Sequence, residues 1–370
     1  MIAAAVFWVP YSQYLTINPA GDFRVHITYA QNLAAGLPVL SPHFGFQYAT
    51  IVMAWLTGFS YDAAGVLVVA ACYGWLALLL RAELRRRSIH LGKWFAGTVI
   101  LCLLISSQVS LFTAWIPNLY YGYFAPIVYH NPTQQLMKAS ALFIWFLFVR
   151  LFLVNRSSRS SGAASYVLLG AACVVSAICK PSFLIAFLPV AGLRALLDLA
   201  NRKWARARAA AGAIAVPSAL VLSWQFWFAY RTATPAGISF VPLAIFSDPV
   251  ALLWKGSFSI LLPLAVIIAV GGRERLPAQL LFAWLLLLVA LAYTLLLVET
   301  GPRMMEGNFA WSAQIGVFIL YVESILFTLQ HWNKLSQAGR IAIVASISMH
   351  VLSGCILYGA ASLFPGGLWV

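Results

Sequence analysis

Apolar runs recur along almost the whole chain, and they decide the solvent in which it can fold. They cover residues 2–16, 63–80, 94–114, 136–154, 166–179, 183–197, 209–230, 250–270, 278–298, 309–329 and 341–364. Most reach the roughly 20 residues that a helix rising 1.5 Å per residue needs to cross a hydrocarbon core about 30 Å thick. The runs at 166–179 and 183–197 are shorter and meet at Lys180-Pro181. Of the 370 residues, 62% are hydrophobic and 9% charged, whereas a soluble fold needs about a quarter of its residues charged to cover its surface. A bilayer is therefore the expected solvent. That excludes a cytosolic enzyme, a secreted disulfide scaffold, a disordered chain and a nucleic-acid binder. The expected fold is an all-α polytopic membrane protein with about eleven transmembrane helices, residues 1–370 forming one transmembrane domain without a separate soluble domain.

The formal charge of +14 means little until the charges are sorted by side. Arg81, Arg85, Arg86, Arg87 and Lys93 fill one loop, Arg150, Arg156 and Arg159 the next on that side. Arg194, Arg202, Lys203, Arg206 and Arg208 follow, then Arg273 with Arg275 and Lys334 with Arg340. These are 17 of the 23 basic residues, all on every second loop. The positive-inside rule makes that side cytoplasmic, which places the N-terminus inside and the C-terminus outside. Six basic residues remain outside or at membrane depth (Arg24, Lys138, Lys180, Arg231, Lys255, Arg303), facing five acids (Asp22, Asp62, Asp248, Glu299, Glu306). Ionisable groups placed there cost a few kcal/mol and tend to face a cavity with a function.

Other features are quieter. No internal repeat is evident, which argues against the paired halves of many secondary transporters. The five cysteines all fall inside apolar runs and read as packing residues. The first run has no small-residue cleavage site after it and reads as a span rather than a removable signal. Glu323, inside an apolar run, reads as a local structural ion, and Arg231 and Lys255 as residues reaching for the interface.

Three outward segments, at 18–60, 115–135 and 299–311, carry the residue types that do chemistry. In the first, Val25, Ile27 or Thr28, Ala30 and Leu33 recur at helical spacing, predicting an amphipathic surface helix closed by Gly36. Asp22 stands at its start, either as an ordinary helix cap or as a reactive carboxylate, with His26 one turn further on. The second segment joins many aromatics to Tyr129, His130, Asn131, Pro132, Thr133 and Gln134. Aromatics at an interface commonly anchor the protein, but amide and imidazole groups beside them suit sugar hydroxyls. Thr133 is a candidate cap for the span that follows. A lone His130 is weak evidence for a metal site. In the third, Glu299 and Arg303 are four apart, either as a simple ion pair or, with Glu306, Asn308 and Trp311, as a second wall of a site.

The run Gly21-Asp22-Phe23-Arg24-Val25-His26 with Ala30, Leu33 and Gly36, a second short segment at 48–59, and two short runs joined at Lys180-Pro181 resemble the GT-C superfamily of polytopic membrane glycosyltransferases. The likeness covers roughly residues 1–230 in layout and departs from the larger members in lacking their bulky periplasmic domain. It implies a bacterial inner-membrane enzyme taking a sugar from a polyprenyl-phosphate or diphosphate donor to a lipid or glycan acceptor at the extracytoplasmic face. One carboxylate suffices for an inverting displacement, because the phosphate leaves without protonation, unlike the acid and base of a hydrolase. The resemblance makes Asp22 the base, with His26 beside it and Glu299 (or Glu306) as runner-up. Lys138, Lys180 and Arg303 become the phosphate binders, a mixture of point charges and a bidentate fork. Tyr129, His130, Asn131, Gln134, Glu306, Asn308 and Trp311 complete the expected substrate contacts. A divalent cation is left open: Asp22 and His26 supply two ligands and need a third carboxylate from the 299–306 loop.

Two other readings compete. A lipid or solute transporter predicts repeats and charges spread through opposing spans. An O-antigen polymerase or ligase predicts a large late outer loop with Arg and His, whereas here that loop is short and has no His.

Overall fold

The computed structural model describes residues 2–17, 21–39, 41–110, 123–126, 129–154, 162–230, 237–246, 248–271 and 276–363. Fifteen α-helices are seen among them: α1 (Ile2–Ile17), α2 (Asp22–Ala34), α3 (Gly45–Thr57), α4 (Tyr61–Arg86), α5 (Lys93–Ile105), α6 (Pro132–Phe148), α7 (Ala163–Cys179), α8 (Ser182–Ala200), α9 (Trp204–Ala210), α10 (Val216–Tyr230), α11 (Pro249–Ser259), α12 (Leu261–Val270), α13 (Ala278–Leu296), α14 (Ala310–His331) and α15 (Gln337–Leu363). The architecture is all-α and polytopic. Seven helical stretches are long and apolar enough to cross a membrane, and an eighth if the bent pair α11–α12 is one span. Segments 3–12, 93–105 and 163–179 are apolar but shorter.

The expected count of eleven is therefore not reached by length, and the shortfall has local causes. The run at 94–114 is helical only to Ile105, after which Ser106–Ser110 have no regular secondary structure. There the Ser106 hydroxyl bonds back to the Cys102 carbonyl at 2.6 Å, and Ser107 N–H turns to the His350 carbonyl at 3.1 Å. Serine side chains offer the backbone such alternatives to helix. The run at 250–270 bends by 66° at Ile260. Pro263 explains it, since its ring clashes with the carbonyl four residues earlier and it brings no N–H. That carbonyl, on Ser259, accepts instead from the Tyr321 hydroxyl at 2.8 Å.

Helices α2 and α3 lie across the start of α4. The buried face of α2 is Phe23, His26, Ile27 and Ala30, whereas Val25, expected on the apolar stripe, is exposed. At Gly65 of α4, a Cβ would stand 2.3 Å from the Ile27 side chain, so the absence of a side chain lets α2 settle there. Arg24 ties the two helices through Asp62 at 2.7 Å. Gly45, at the start of α3, would press a Cβ to 3.0 Å from the Cys179 backbone, which sets α3 against the end of α7. Helix α14 is the central element, buried at every position from Ser312 to Thr328.

The far end of α4 and the middle of α14 are locked together. Arg87 donates to Glu83 at 2.7 Å and forks onto Glu323 at 2.7 and 2.8 Å. Trp145 of α6 donates to Glu323 at 2.8 Å. A two-stranded antiparallel ribbon, absent from the sequence expectation, pairs β1 (Ile238–Phe240) with β2 (Leu297–Glu299), Ile238 opposite Glu299.

Candidate active site

The sequence starts four helices at one place. Helix α2 begins at Asp22, α6 at Pro132, α8 at Ser182 and α14 at Ala310, and their first residues meet in side-chain contacts. Asp22 is not the cap of its helix: the residue before it, Gly21, fills that position and no side-chain cap bond is made. Its half-exposed carboxylate turns instead to α6, where Asn131 Nδ2 donates to Oδ2 at 3.1 Å and His130 Nε2 stands 4.0 Å away.

Asn131 serves two helices at once. Its Oδ1 caps α6, accepting from Gln134 N–H at 3.1 Å and from the Thr133 hydroxyl at 2.7 Å, while its amide nitrogen holds Asp22. The cap expected of Thr133 belongs to Asn131, and Pro132 follows at the first helical position, where a missing N–H costs nothing. Gln134 continues the chain of contacts, donating to the Trp311 carbonyl at 3.1 Å. The Ser312 hydroxyl donates to the Ser182 carbonyl at 2.7 Å, bringing the start of α14 to the start of α8.

Lys180, extended between α7 and α8, supplies the cation. It is buried, with its ammonium over the Trp311 ring at 3.9 Å, and it acts electrostatically on Asp22, His26, His43 and His130. The His130 ring lies 5.5 Å from that of Trp311. Burial pushes the His130 imidazole down to about 4, Asp22 pulling it up and Lys180 pressing it further down. Burial and Lys180 likewise take His26 to about 4 against a smaller pull from Asp22, and His43 well below its ordinary value. His26 accepts from Gln47 at 2.9 Å when its Nδ1 is the bare nitrogen. Burial brings the Lys180 ammonium down to about 7 and Asp22 pulls it back up, so at neutral pH the imidazoles are uncharged while Lys180 is poised between its charged and neutral forms.

Other expected contributors lie elsewhere. Lys138 is buried one and a half turns into α6, its ammonium donating to the Pro126 carbonyl at 2.6 Å and lying 5.1 Å from the Phe318 ring centre. Arg303 is turned to its own loop, 3.4 Å from Glu306 and 3.7 Å from Glu299. Of the three expected phosphate binders Lys180 lies against Trp311, and Arg303, though paired within its loop, also acts electrostatically on His43. Glu299 accepts from Tyr230 at 2.7 Å and from Asn308, so both its oxygens are engaged. Asn308 also reaches Glu306 at 3.0 Å. Tyr129 is buried in an aromatic group, 5.8 Å from Tyr11 and 6.5 Å from Tyr358. Residues 111–122, with their tyrosines, and Arg231 lie outside the described residues. Sequence reasoning passed over His43 and Gln47, for which the Pro42-to-Gly45 turn was the one available signal.

Among the described residues no three His, Cys, Asp or Glu side chains are placed to share a metal ion. The carboxylates that an Asp22–His26 pair would need are occupied by Tyr230, Asn308 and Arg303. What the corner offers is an anion site beside one carboxylate. Helix starts carry a partial positive charge, Lys180 adds a further one when protonated, and Asp22 stands at the edge. No protein-family model matches the chain, and no curated protein matches it significantly.

Proposed function

We propose that the chain is an integral-membrane glycosyltransferase of GT-C type. It moves a sugar from a polyprenyl-phosphate or diphosphate donor to a lipid or glycan acceptor at the extracytoplasmic face of the bacterial inner membrane, with inversion. The observation that carries this reading is the meeting of four helix starts and Lys180 around a half-exposed Asp22. In the reaction the acceptor oxygen bonds to the anomeric carbon while its proton passes to the Asp22 carboxylate. The bond from that carbon to the phosphate oxygen breaks, and its electron pair leaves on the phosphate. Lys180 and the helix-start N–H groups stabilise that growing charge, which is where a preorganised site gains most. Asn131 positions the base.

The test uses the full chain in lipid nanodiscs with a panel of polyprenyl-phosphate hexoses and pentoses and an envelope-lipid acceptor extract, following release of polyprenyl phosphate without any ion gradient. Wild type releases it with at least one donor. Asp22→Asn loses about 10²–10⁴-fold in rate, the usual worth of a positioned base, with an unchanged melting temperature. Full activity in Asp22→Asn removes Asp22 as base, and no release from any donor removes the transferase reading.

A further inference from the structure

A cleft of about 170 Å³ opens beside the Asp22 corner, walled by Tyr123, Phe124, Phe246 and Trp311. That is well below the roughly 300 Å³ at which drug-sized pockets begin, so it has room for one ring and not for a chain of them. Its polar equipment is sparse. Gln314, only 8% exposed, lines it, and its Oε1 makes no hydrogen bond. A buried acceptor left unmatched costs about 1–3 kcal/mol, a cost that an incoming hydroxyl donor removes. Glu306, half exposed on the rim, is a second acceptor. No Lys or Arg is among the described residues lining the cleft.

We infer that this cleft is the subsite for a single uncharged sugar ring, an inference that rests on the transferase reading of the neighbouring corner. Aromatic walls suit the C–H face of a pyranose and the two oxygen acceptors suit its hydroxyls. A uronic acid or ring phosphate would meet the Glu306 carboxylate on the rim, and the nearby Arg303 is already paired with that carboxylate at 3.4 Å and is not among the described residues lining the cleft. The placement fits the chemistry next door, because the Trp311 ring belongs to both: it carries the Lys180 ammonium at 3.9 Å and lines the cleft. His130 is shared too, lining the cleft while standing 4.0 Å from Asp22.

The experiment is saturation-transfer NMR on the full chain in nanodiscs at neutral pH. The probes are the methyl glycosides of glucose, mannose and galactose, with methyl glucuronide as the charged counterpart. At least one neutral glycoside receives saturation, and the glucuronide several-fold less. Gln314→Leu weakens the neutral glycoside about tenfold, the size of one lost buried hydrogen bond. Glu306→Gln, on the loop and usable even if the Gln314 variant does not fold, narrows the gap between neutral and charged probes. Competition by the active polyprenyl-phosphate sugar assigns the ring to the donor, and its failure to compete assigns it to the acceptor. Equal signals for neutral and charged glycosides, wild-type binding in a folded Gln314→Leu, or no signal from any probe overturns the proposal. Asp22→Asn keeps glycoside binding, so a protein that binds the glycosides and transfers nothing has lost the transferase reading and kept its sugar site.

Discussion

Two clusters, one joining the far end of α4 to the middle of α14 and one at the start of α14, hold the same kinds of residue and treat them in opposite ways. In the first, Glu83, Arg87, Glu323 and Trp145 form a closed set, in which Glu323 is fully buried and bonded by both a guanidinium fork and an indole N–H. In the second, Asp22 is half exposed, the Lys180 ammonium lies over the Trp311 ring, and the Gln314 acceptor is unmatched. Burial alone does not separate them, for Lys180 and the Arg87 side chain are both buried. The difference is completeness. A buried charge with every partner in place holds helices in register, whereas one left with capacity to spare is prepared for a ligand.

The contrast breaks most visibly if the closed end tolerates damage. Arg87→Met leaves Glu323 buried without its cation and is expected to destabilise the protein by about 3–5 kcal/mol, seen as a lowered melting temperature in detergent. Little change there would mean that the cluster is not a lock. Lys180→Met is expected to cut transfer by about 10²–10³-fold, the cost of losing one stabiliser of developing negative charge. Its melting temperature should hold or rise, since an apolar replacement relieves a buried cation. A fall in stability with no fall in rate would move Lys180 into the structural class.

A finer cut is made by Asn131→Ser. Serine caps a helix about as well as asparagine, so the start of α6 should survive with under about 1 kcal/mol lost. The donor to Asp22 goes, and transfer should drop by about tenfold, the worth of a hydrogen bond to a charged group. Unchanged transfer would show that Asp22 is oriented by something else. Acid supplies the next test. His26 and His130, ordinarily near 6.5, are both held near 4. Between those values the unfolded chain binds more protons than the folded one, so stability rises with pH and is lost as pH falls from about 6.5 to about 4. Thermal melts across that window should show the loss, and His26→Gln should flatten it. The smallest effect is expected at Arg24–Asp62, where both groups are partly exposed. Asp62→Asn should cost no more than about 1 kcal/mol, and a larger loss would mean that this pair anchors α2 more firmly than its exposure suggests.

Much of this was legible in the sequence, because a bilayer imposes a single periodicity and punishes stray polar groups. The apolar runs mark the helices, and the polar residues interrupting them include Asp22, His130, Asn131, Gln134 and Lys180, which come together beside Trp311. Lys138 looks the same as Lys180 in one dimension, and only packing turns it to the Pro126 carbonyl. Asp22 looks like a cap until Gly21 is found in the capping position. The bend at Ile260 was signalled by Pro263, but Pro189 lies within α8 without ending it, so a proline inside an apolar run does not alone announce a break. The partners of Glu299 come from Tyr230 and Asn308, and the first lies too far away in sequence for spacing to suggest it.

Helix α6 begins with the amide that grips Asp22 and, fourteen residues later, carries the indole that grips Glu323. At 1.5 Å per residue that is a strut of about 21 Å between the open end and the closed one. The height of the carboxylate is thereby set by a helix and not by the loops beside it. Those loops can lengthen, shorten or change their chemistry while the Asp22 carboxylate stays at the same height.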